Sequence, residues 1–247
     1  MKRGLSANAI KIIAIIAMTA DHIAWILFPG YQTGAVPLIL HVIGRITCPI
    51  MCYFIAEGYH HSKNITRYTQ RLFLFAFLSH FAYVFFSSNY TDWKCFIPFC
   101  SGDVLNQTSV MWSLAWGLVM LRIANSTKIK AAIQYILIIG ICLITLPSDW
   151  SCIASLCVLA FGTNRGNFKK QMLWMVFYVG LYTAVYCIAL DMVYGLMQMA
   201  VVLAIPVLGM YNGKRGFSPK INAVMKYAFY IYYPLHLFVL GWIQFIK

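Results

Sequence analysis

Ionisable side chains interrupt long apolar stretches of this sequence, and they are the groups in it that could do chemistry. Charged groups are costly in hydrocarbon and usually face a bundle interior or a water-filled cavity, so each one is a functional candidate. The first such stretch reads IKIIAIIAMTADHIAWILF and contains the first acid and the first imidazole of the chain. The whole set is Lys11, Asp21, His22, His41, Arg45, Glu57, His80 and His236.

The spacing of Lys11 and His22 places both on one face of a helix. Eleven residues are close to three helical turns and span about 16 Å at 1.5 Å per residue. Lys11 lies near the cytoplasmic end of this helix, and His22 lies deeper on the same face. This placement suits a path by which an anionic donor enters from the cytoplasm. The alternative is that Lys11 only extends its ammonium to the headgroups.

His22 is the strongest candidate for proton transfer, because a neutral imidazole is a natural general base near pH 7. Asp21 could raise its basicity or fix its tautomer. Adjacent helical residues point about 100° apart, however, so Asp21 alternatively turns to another partner such as Arg45. The structural alternative is that both side chains only join helices by hydrogen bonds.

The second apolar stretch, HVIGRITCPIMCYFIAEGYHH, contains Arg45 near its middle. A guanidinium there requires a carboxylate, a phosphate or a cavity. Gly44 permits close approach of a neighbouring helix or ligand. Pro49 frees the backbone carbonyl of Arg45, which predicts a kink beside the charge. His41 lies one turn from Arg45 on a similar face and is a second candidate for proton handling.

Other polar residues have simpler interpretations. Glu57 lies near the cytoplasmic end of its helix, and we expect a structural ion pair with Lys11 or Arg71. The segments NQTS (106–109) and PSDWSC (147–152) read as helix caps unless a site lies beside them.

The last apolar stretch contains FYIYYPLHLF, in which Tyr230, Tyr233 and His236 surround Pro234. Tyrosines alone are typical of the aromatic belt at a membrane interface. Because these lie near the middle of a helix, beside a proline and a histidine, they are equally typical of the wall of a polar cavity.

The elements that position these residues are predicted to be transmembrane helices. The chain has 247 residues, of which 62% are hydrophobic and 10% charged, so a water-soluble fold would expose too much apolar surface. We predict an all-α, polytopic transmembrane bundle that forms a single domain over residues 1–247. About nine spans are expected, near residues 8–28, 36–58, 69–88, 108–124, 131–147, 151–163, 171–190, 192–211 and 227–246.

The basic residues give the predicted topology. The net charge is +13, but Lys and Arg are sorted into alternate loops, a distribution that indicates a membrane protein and not a nucleic-acid partner. By the positive-inside rule the N-terminus is cytoplasmic and, with nine spans, the C-terminus lies outside. The first apolar run has no cleavage site and is expected to stay as a helix.

The cysteines predict no metal site. Six of the eight fall in predicted spans, where small thiols are ordinary packing residues. Cys95 and Cys100 share one long non-cytoplasmic loop, where a disulfide is possible if the compartment is oxidising. Neither CxxC pairs nor HExxH spacing occurs.

Several of these motifs together resemble the TraX family of integral membrane proteins. They are the DH of the first stretch, the GR-x3-P-x7-EG of the second, PSDWSC, and FY-x-YYPLHL near the end. The resemblance implies acyl transfer in the bacterial plasma membrane, with acetyl-CoA or another acyl-CoA as donor. The acceptor would be a protein N-terminus, a glycan or a small molecule. A distant similarity to transmembrane acyltransferases implies that His22 is catalytic, with Lys11 where those proteins carry Arg.

The expected mechanism follows from these assignments. His22 would take the proton of an amine or hydroxyl acceptor as it attacks the thioester, and Arg45 or a tyrosine hydroxyl of the last helix would stabilise the oxyanion. One alternative is a transporter with a proton or anion path through the charged residues. The other is a structural subunit of a conjugation or secretion apparatus, in which the polar groups join helices.

Overall fold

A computed structural model describes residues 4–87, 96–97 and 106–246 of the chain. Within these ranges it contains helices, turns and two isolated bridges, and no strand. Cys95 and Cys100 lie outside the described residues. The helices are α1 (Ala7–Leu27), α2 (Ala35–Gly44), α3 (Thr47–His61), α4 (Ile65–Phe86), α5 (Val110–Ala124), α6 (Ala131–Thr145), α7 (Ser151–Thr163), α8 (Phe168–Ala189), α9 (Met192–Met197), a 3-10 helix (Gln198–Leu203), α10 (Ala204–Gly209) and α11 (Pro219–Phe245).

Five helical segments of the described chain are long and apolar enough to cross a membrane. They are Ala7–Leu27, Ala35–His61, Ile65–Phe86, Phe168–Ala189 and Met192–Gly209. Three shorter apolar helices, α5, α6 and α7, have 13 to 15 residues. The all-helical membrane class is therefore confirmed, whereas the number of nine spans stays a prediction.

Polar caps fix where several helices begin. The Ser6 hydroxyl accepts a hydrogen bond from the Ala9 N–H at 3.3 Å before α1. Asn64 does the same for the Arg67 N–H at 2.9 Å before α4, and Asn167 for the Lys170 N–H at 3.0 Å before α8. Each side chain satisfies an N–H that has no partner within its own helix.

The helix is interrupted beside Arg45, at the position where Pro49 predicts a kink. Helix α2 ends at Gly44 and α3 begins at Thr47, so the segment expected as one helix over 36–58 consists of two. Pro49 has no N–H to donate to the carbonyl of Arg45, and its ring crowds that carbonyl. The regular α-helix is therefore interrupted at Arg45 and Ile46, and α3 begins at Thr47.

The first of two compact units comprises Met1–Phe54 and Asn167–Phe229. It contains α1, α2 and the start of α3, together with α8 to α10 and the start of α11. Helix α1 packs along α2, and α8 packs on α9 and the 3-10 helix. The Thr47 hydroxyl donates to the Ala14 carbonyl at 2.9 Å and joins α3 to α1. This unit holds most of the charged candidates.

The second unit comprises Ile55–Gly166 and Tyr230–Lys247. Its centre is the contact between α5 and α7, which two glycines bring close together. A Cβ on Gly117 would lie 2.8 Å from Val158 Cβ, and one on Gly162 would overlap the end of the Leu121 side chain. Small residues commonly permit this approach between helices in lipid. The prediction of a single domain over residues 1–247 stays a prediction.

Candidate functional site

A buried ion pair between α1 and the end of α2 forms the centre of the candidate site. Arg45 Nη2 lies 2.9 Å from Asp21 Oδ1 and 2.9 Å from Oδ2. Both side chains are only 11% exposed. Arg45 directly follows the end of α2, and its guanidinium contacts the Asp21 carboxylate on α1. This is the Asp21–Arg45 contact that sequence analysis offered as the alternative to an Asp21–His22 pair.

His41 completes the contacts of the Asp21 carboxylate. Its Nδ1 lies 2.7 Å from Oδ1, and the ring is fully buried. Because a carboxylate only accepts, Nδ1 carries the hydrogen in this contact. The other ring nitrogen, Nε2, is buried without a hydrogen-bond partner. The imidazole lies against Trp25 and Tyr194, with ring centroids 4.5 and 5.4 Å away.

The remaining donors of Arg45 also have partners. Nη1 donates to Gln198 Oε1 at 3.0 Å, and Nε donates to the carbonyl of His41 at 3.2 Å. The guanidinium is therefore both neutralised by Asp21 and hydrogen-bonded by Gln198. We call Asp21, His41, Arg45 and Gln198 the Asp21 cluster. Gln198 is not among the residues predicted from the sequence; its signal is a lone amide within the apolar run LMQMAVVLAI.

Gly44 makes this arrangement possible. A Cβ placed on Gly44 would lie 2.6 Å from Asp21 Cγ and 2.9 Å from Oδ1. Any side chain there would push α2 away from the carboxylate. The close approach predicted for Gly44 is therefore confirmed, and its neighbour is Asp21.

The two α1 residues expected to form a donor route have different surroundings. The Lys11 ammonium lies 5.1 Å from the ring centroid of Phe54 and 5.4 Å from that of Phe229, which are cation–π contacts. His22 is half-buried and follows Asp21 directly in α1. Their roles in acyl transfer stay predictions.

The pairing expected for Glu57 is wrong. In the second unit, its carboxylate accepts from Arg165 Nε at 3.0 Å and contacts His61 Nε2 at 3.3 Å. Arg165 follows α7, whose Gly162 carbonyl also contacts His60 on the helix of Glu57. That packing presents Arg165 to Glu57, in place of the expected Lys11 or Arg71.

The aromatic group of α11 packs ring on ring within the second unit. Tyr230 stacks on Phe75 at 5.0 Å between centroids, and Tyr232 stacks on His236 at 5.1 Å. Tyr233 meets the His236 ring edge-on at 5.5 Å. His236 Nδ1 donates to the Tyr232 carbonyl at 2.9 Å, one turn back along the helix. A role of this group as a cavity wall stays a prediction.

Apolar helices around a buried, neutralised charge cluster define an all-helical membrane protein. The chain matches the model of the TraX protein family over residues 6–244, and it belongs to that family. It is 29% identical over 244 residues to a protein of Dichelobacter nodosus named "Probable fimbrial assembly protein FimC, serogroup H1", covering 95% of this chain and 94% of the relative. No solved structure matches the chain.

Proposed function

We propose that this chain is an assembly factor for fimbriae or a related surface apparatus. The observation that carries this proposal is the similarity to a named fimbrial assembly protein, which extends over 95% of the chain. It corresponds to the structural subunit considered from the sequence.

In this role the Asp21 cluster acts as an internal tie between helices. The carboxylate, the guanidinium and the Gln198 amide satisfy one another, as buried ionic groups must if they are to be stable in an apolar surrounding. Asp21 is on α1, Arg45 follows α2, and Gln198 opens the 3-10 helix. The cluster therefore holds three segments of the first unit in a defined register.

The proposed setting is the bacterial plasma membrane, crossed about nine times, with the N-terminus in the cytoplasm and the C-terminus outside. The alternation of basic loops supports this topology. Reporter fusions after each helix test it: fusions after α4 and after α11 should report the outside, and fusions after α3 and after α7 the cytoplasm. A cytoplasmic signal from the fusion after α11 would contradict the nine-span arrangement.

The test of the assembly role is deletion and complementation in the bacterium that encodes the chain. We expect the deletion strain to lose surface fimbriae in electron micrographs and to release less fimbrial subunit on shearing. Wild-type chain should restore both. Full fimbriation of the deletion strain would overturn the proposal.

Acyl transfer from an acyl-CoA is the second candidate function, and the geometry of His41 favours it. An imidazole with Nδ1–H on a carboxylate and an Nε2 without a hydrogen-bond partner has the arrangement of a general base. Arg45 holds that carboxylate in place. His22, half-buried beside Asp21, is the other candidate base, and the acceptor would be a protein N-terminus, a glycan or a small molecule.

Transfer of label from radiolabelled acetyl-CoA separates the two functions, and the variants His22→Ala and His41→Gln identify the base. If the chain is an assembly factor in which the Asp21 cluster is structural, cells that carry His22→Ala should still have fimbriae. As an acyltransferase, the chain should lose transfer from radiolabelled acetyl-CoA by about 100-fold or more when its base is removed. His60→Ala is the matched control, because His60 lies in the second unit, where it contacts the Gly162 carbonyl at 3.1 Å and the ring of Tyr59.

A further inference from the structure

Two of the cysteines that read as packing residues contact each other within the second unit. Cys142 is in the last turn of α6, and Cys152 is the second residue of α7. Helix α6 packs along α7. Both residues are half-buried free thiols, and their side chains hydrogen-bond to each other. The two sulfur atoms are therefore neighbours that belong to different helices.

The loop between α6 and α7 is held by the segment before α5. The Gln107 N–H donates to the Pro147 carbonyl at 2.7 Å, and the Asp149 N–H donates to the Thr108 carbonyl at 2.8 Å. The end of α6 and the start of α7 are therefore kept in one arrangement.

The segments that contain these residues, NQTS and PSDWSC, read as helix caps. Ser109 does occupy the N-cap position of α5, and Trp150 that of α7, yet neither side chain makes a capping hydrogen bond. Capping does not explain the two segments, whereas their hydrogen bonds to each other fix the loop.

The start of α7 is also held in place by α5. The Ser113 hydroxyl donates to the Ser151 carbonyl at 2.6 Å, and the Ser155 hydroxyl donates to the Ser113 carbonyl at 2.7 Å. Trp150 and Ser151 have φ values of 61° and 49°, in the left-handed region that favours glycine. Such backbone persists where surrounding contacts enforce it. Cys152 directly follows this enforced turn, so its position beside Cys142 is fixed by the fold.

A second pair of thiols in the described chain has a different setting. Cys48 and Cys52 have sulfur atoms 3.9 Å apart, but both are buried and they lie one turn apart in α3. A bond between them would close almost no loop. A bond between Cys142 and Cys152 would join two helices, and the half-buried sulfurs are the more accessible to a reagent.

The proposed topology places the α6–α7 loop outside the plasma membrane. That compartment is oxidising in bacteria, and disulfides form and persist there. Cys152 lies in the first turn of α7. The helix dipole stabilises a thiolate in that position, and the thiolate is the form of cysteine that attacks a disulfide. Cys152 is therefore the sulfur that we expect to react first.

We propose that Cys142 and Cys152 are a redox pair, oxidised to a disulfide by a protein disulfide of the outer compartment. The Cys152 thiolate attacks one sulfur of the partner's disulfide, whose S–S bond breaks, and the departing thiolate takes up the proton that Cys152 lost. Cys142 Sγ then attacks Cys152 Sγ, and the second partner thiol leaves with the proton of Cys142. Two thiols of this chain are oxidised, and one partner disulfide is reduced to two thiols.

The product would tie the outer ends of α6 and α7 covalently. These helices have 15 and 13 residues, fewer than the roughly 20 that span a bilayer unaided. A disulfide restricts the unfolded chain, so the oxidised protein should unfold at a higher temperature than the reduced one. This inference goes beyond fimbrial assembly and does not depend on it, but it rests on the proposed topology.

The experiment uses the purified full-length chain in detergent, first reduced and then incubated with glutathione disulfide. Remaining thiols are alkylated, and chymotrypsin, which cuts after Trp150 and Leu156, separates Cys142, Cys152 and Cys157 into different peptides. We expect a disulfide between the Cys142 and Cys152 peptides and loss of alkylation at both. The same mapping on acid-quenched cells should recover this bond.

Single variants test the order of the two steps. Cys142→Ser should stop the reaction at the mixed disulfide, with glutathione on Cys152. Cys152→Ser should leave Cys142 to react about 10-fold more slowly, because it lacks the helix N-terminus. Cys187→Ser is the matched control: this half-buried thiol of α8 contacts the Met192 carbonyl at 3.5 Å, and its loss should leave the rate of bond formation unchanged.

Two results would overturn the proposal. One is a folded wild-type chain in which both thiols stay fully alkylated after saturating glutathione disulfide. The other is a chain that forms the bond in detergent but is recovered from acid-quenched cells with both thiols free. Both are measured on the wild-type chain, so a variant that fails to fold does not affect them. Neither depends on whether the deletion strain loses fimbriae, so this proposal and the assembly role can fail separately.

Discussion

The Arg45 guanidinium lies 2.9 Å from both carboxylate oxygens of Asp21, and the two side chains are equally buried. Two charges that neutralise each other across α1 and α2 remain stable in an apolar surrounding. Either charge without its partner would destabilise the fold in that surrounding. The consequences for stability, packing and assembly can each be measured.

Asp21→Asn should be strongly destabilising. It keeps the shape of the side chain but leaves the Arg45 charge buried without a counter-charge, which costs about 3–5 kcal/mol for such pairs. Thermal unfolding of the detergent-solubilised chain measures the effect. A stability within error of wild type would show that Arg45 finds another anion or water.

Removal of both charges should recover most of that loss. The double variant Asp21→Asn, Arg45→Gln has no buried charge, and neutral replacement of a buried pair is often close to neutral in stability. The double-mutant cycle should therefore give a coupling energy of about 3 kcal/mol, within the usual range for residues in contact. Additive losses in the two single variants would contradict direct coupling.

Gly44→Ala should be destabilising, although alanine is the better helix former. The added Cβ would overlap Asp21, and overpacking of this kind costs about 1–3 kcal/mol. Gly180→Ala is the matched control in α8, where an added Cβ meets no atom within 4 Å. That variant should be neutral or more stable by up to about 1 kcal/mol. Equal effects of the two variants would disprove the close approach.

Glu57→Gln should have a much smaller effect than Asp21→Asn. Its partner Arg165 has a side chain that is 43% exposed, and exposed pairs contribute about 0–1 kcal/mol. The contribution should shrink further at high salt, because counter-ions screen exposed charges. A loss as large as that of Asp21→Asn, or one insensitive to salt, would argue against this assignment.

Local sequence features predicted the parts of this structure that depend on local physics. The apolar stretches gave the helical membrane class, Pro49 gave the break beside Arg45, and Gly44 gave the close approach of a neighbour. Each of these follows from one residue and its own backbone, or from the length and polarity of one segment.

Partners distant in the chain could not be predicted in the same way. Gln198 reaches Arg45 across 153 residues, and Glu57 pairs with Arg165 across 108. Which of several cations meets a carboxylate depends on how the helices pack, and no spacing in a single helix encodes that. The 3.0 Å contact between His80 Nδ1 and Thr108 Oγ1 is of the same kind, since it joins α4 to the loop before α5.

Fimbriation of cells carrying the double variant Asp21→Asn, Arg45→Gln tests the central claim most directly. If the Asp21 cluster is an internal tie, a chain without either charge should insert at the wild-type level and restore surface fimbriae, whereas Asp21→Asn alone should not. Cells that hold the double variant folded in the membrane at the wild-type level, yet have no fimbriae, would contradict a structural role and show that the charges themselves do chemistry.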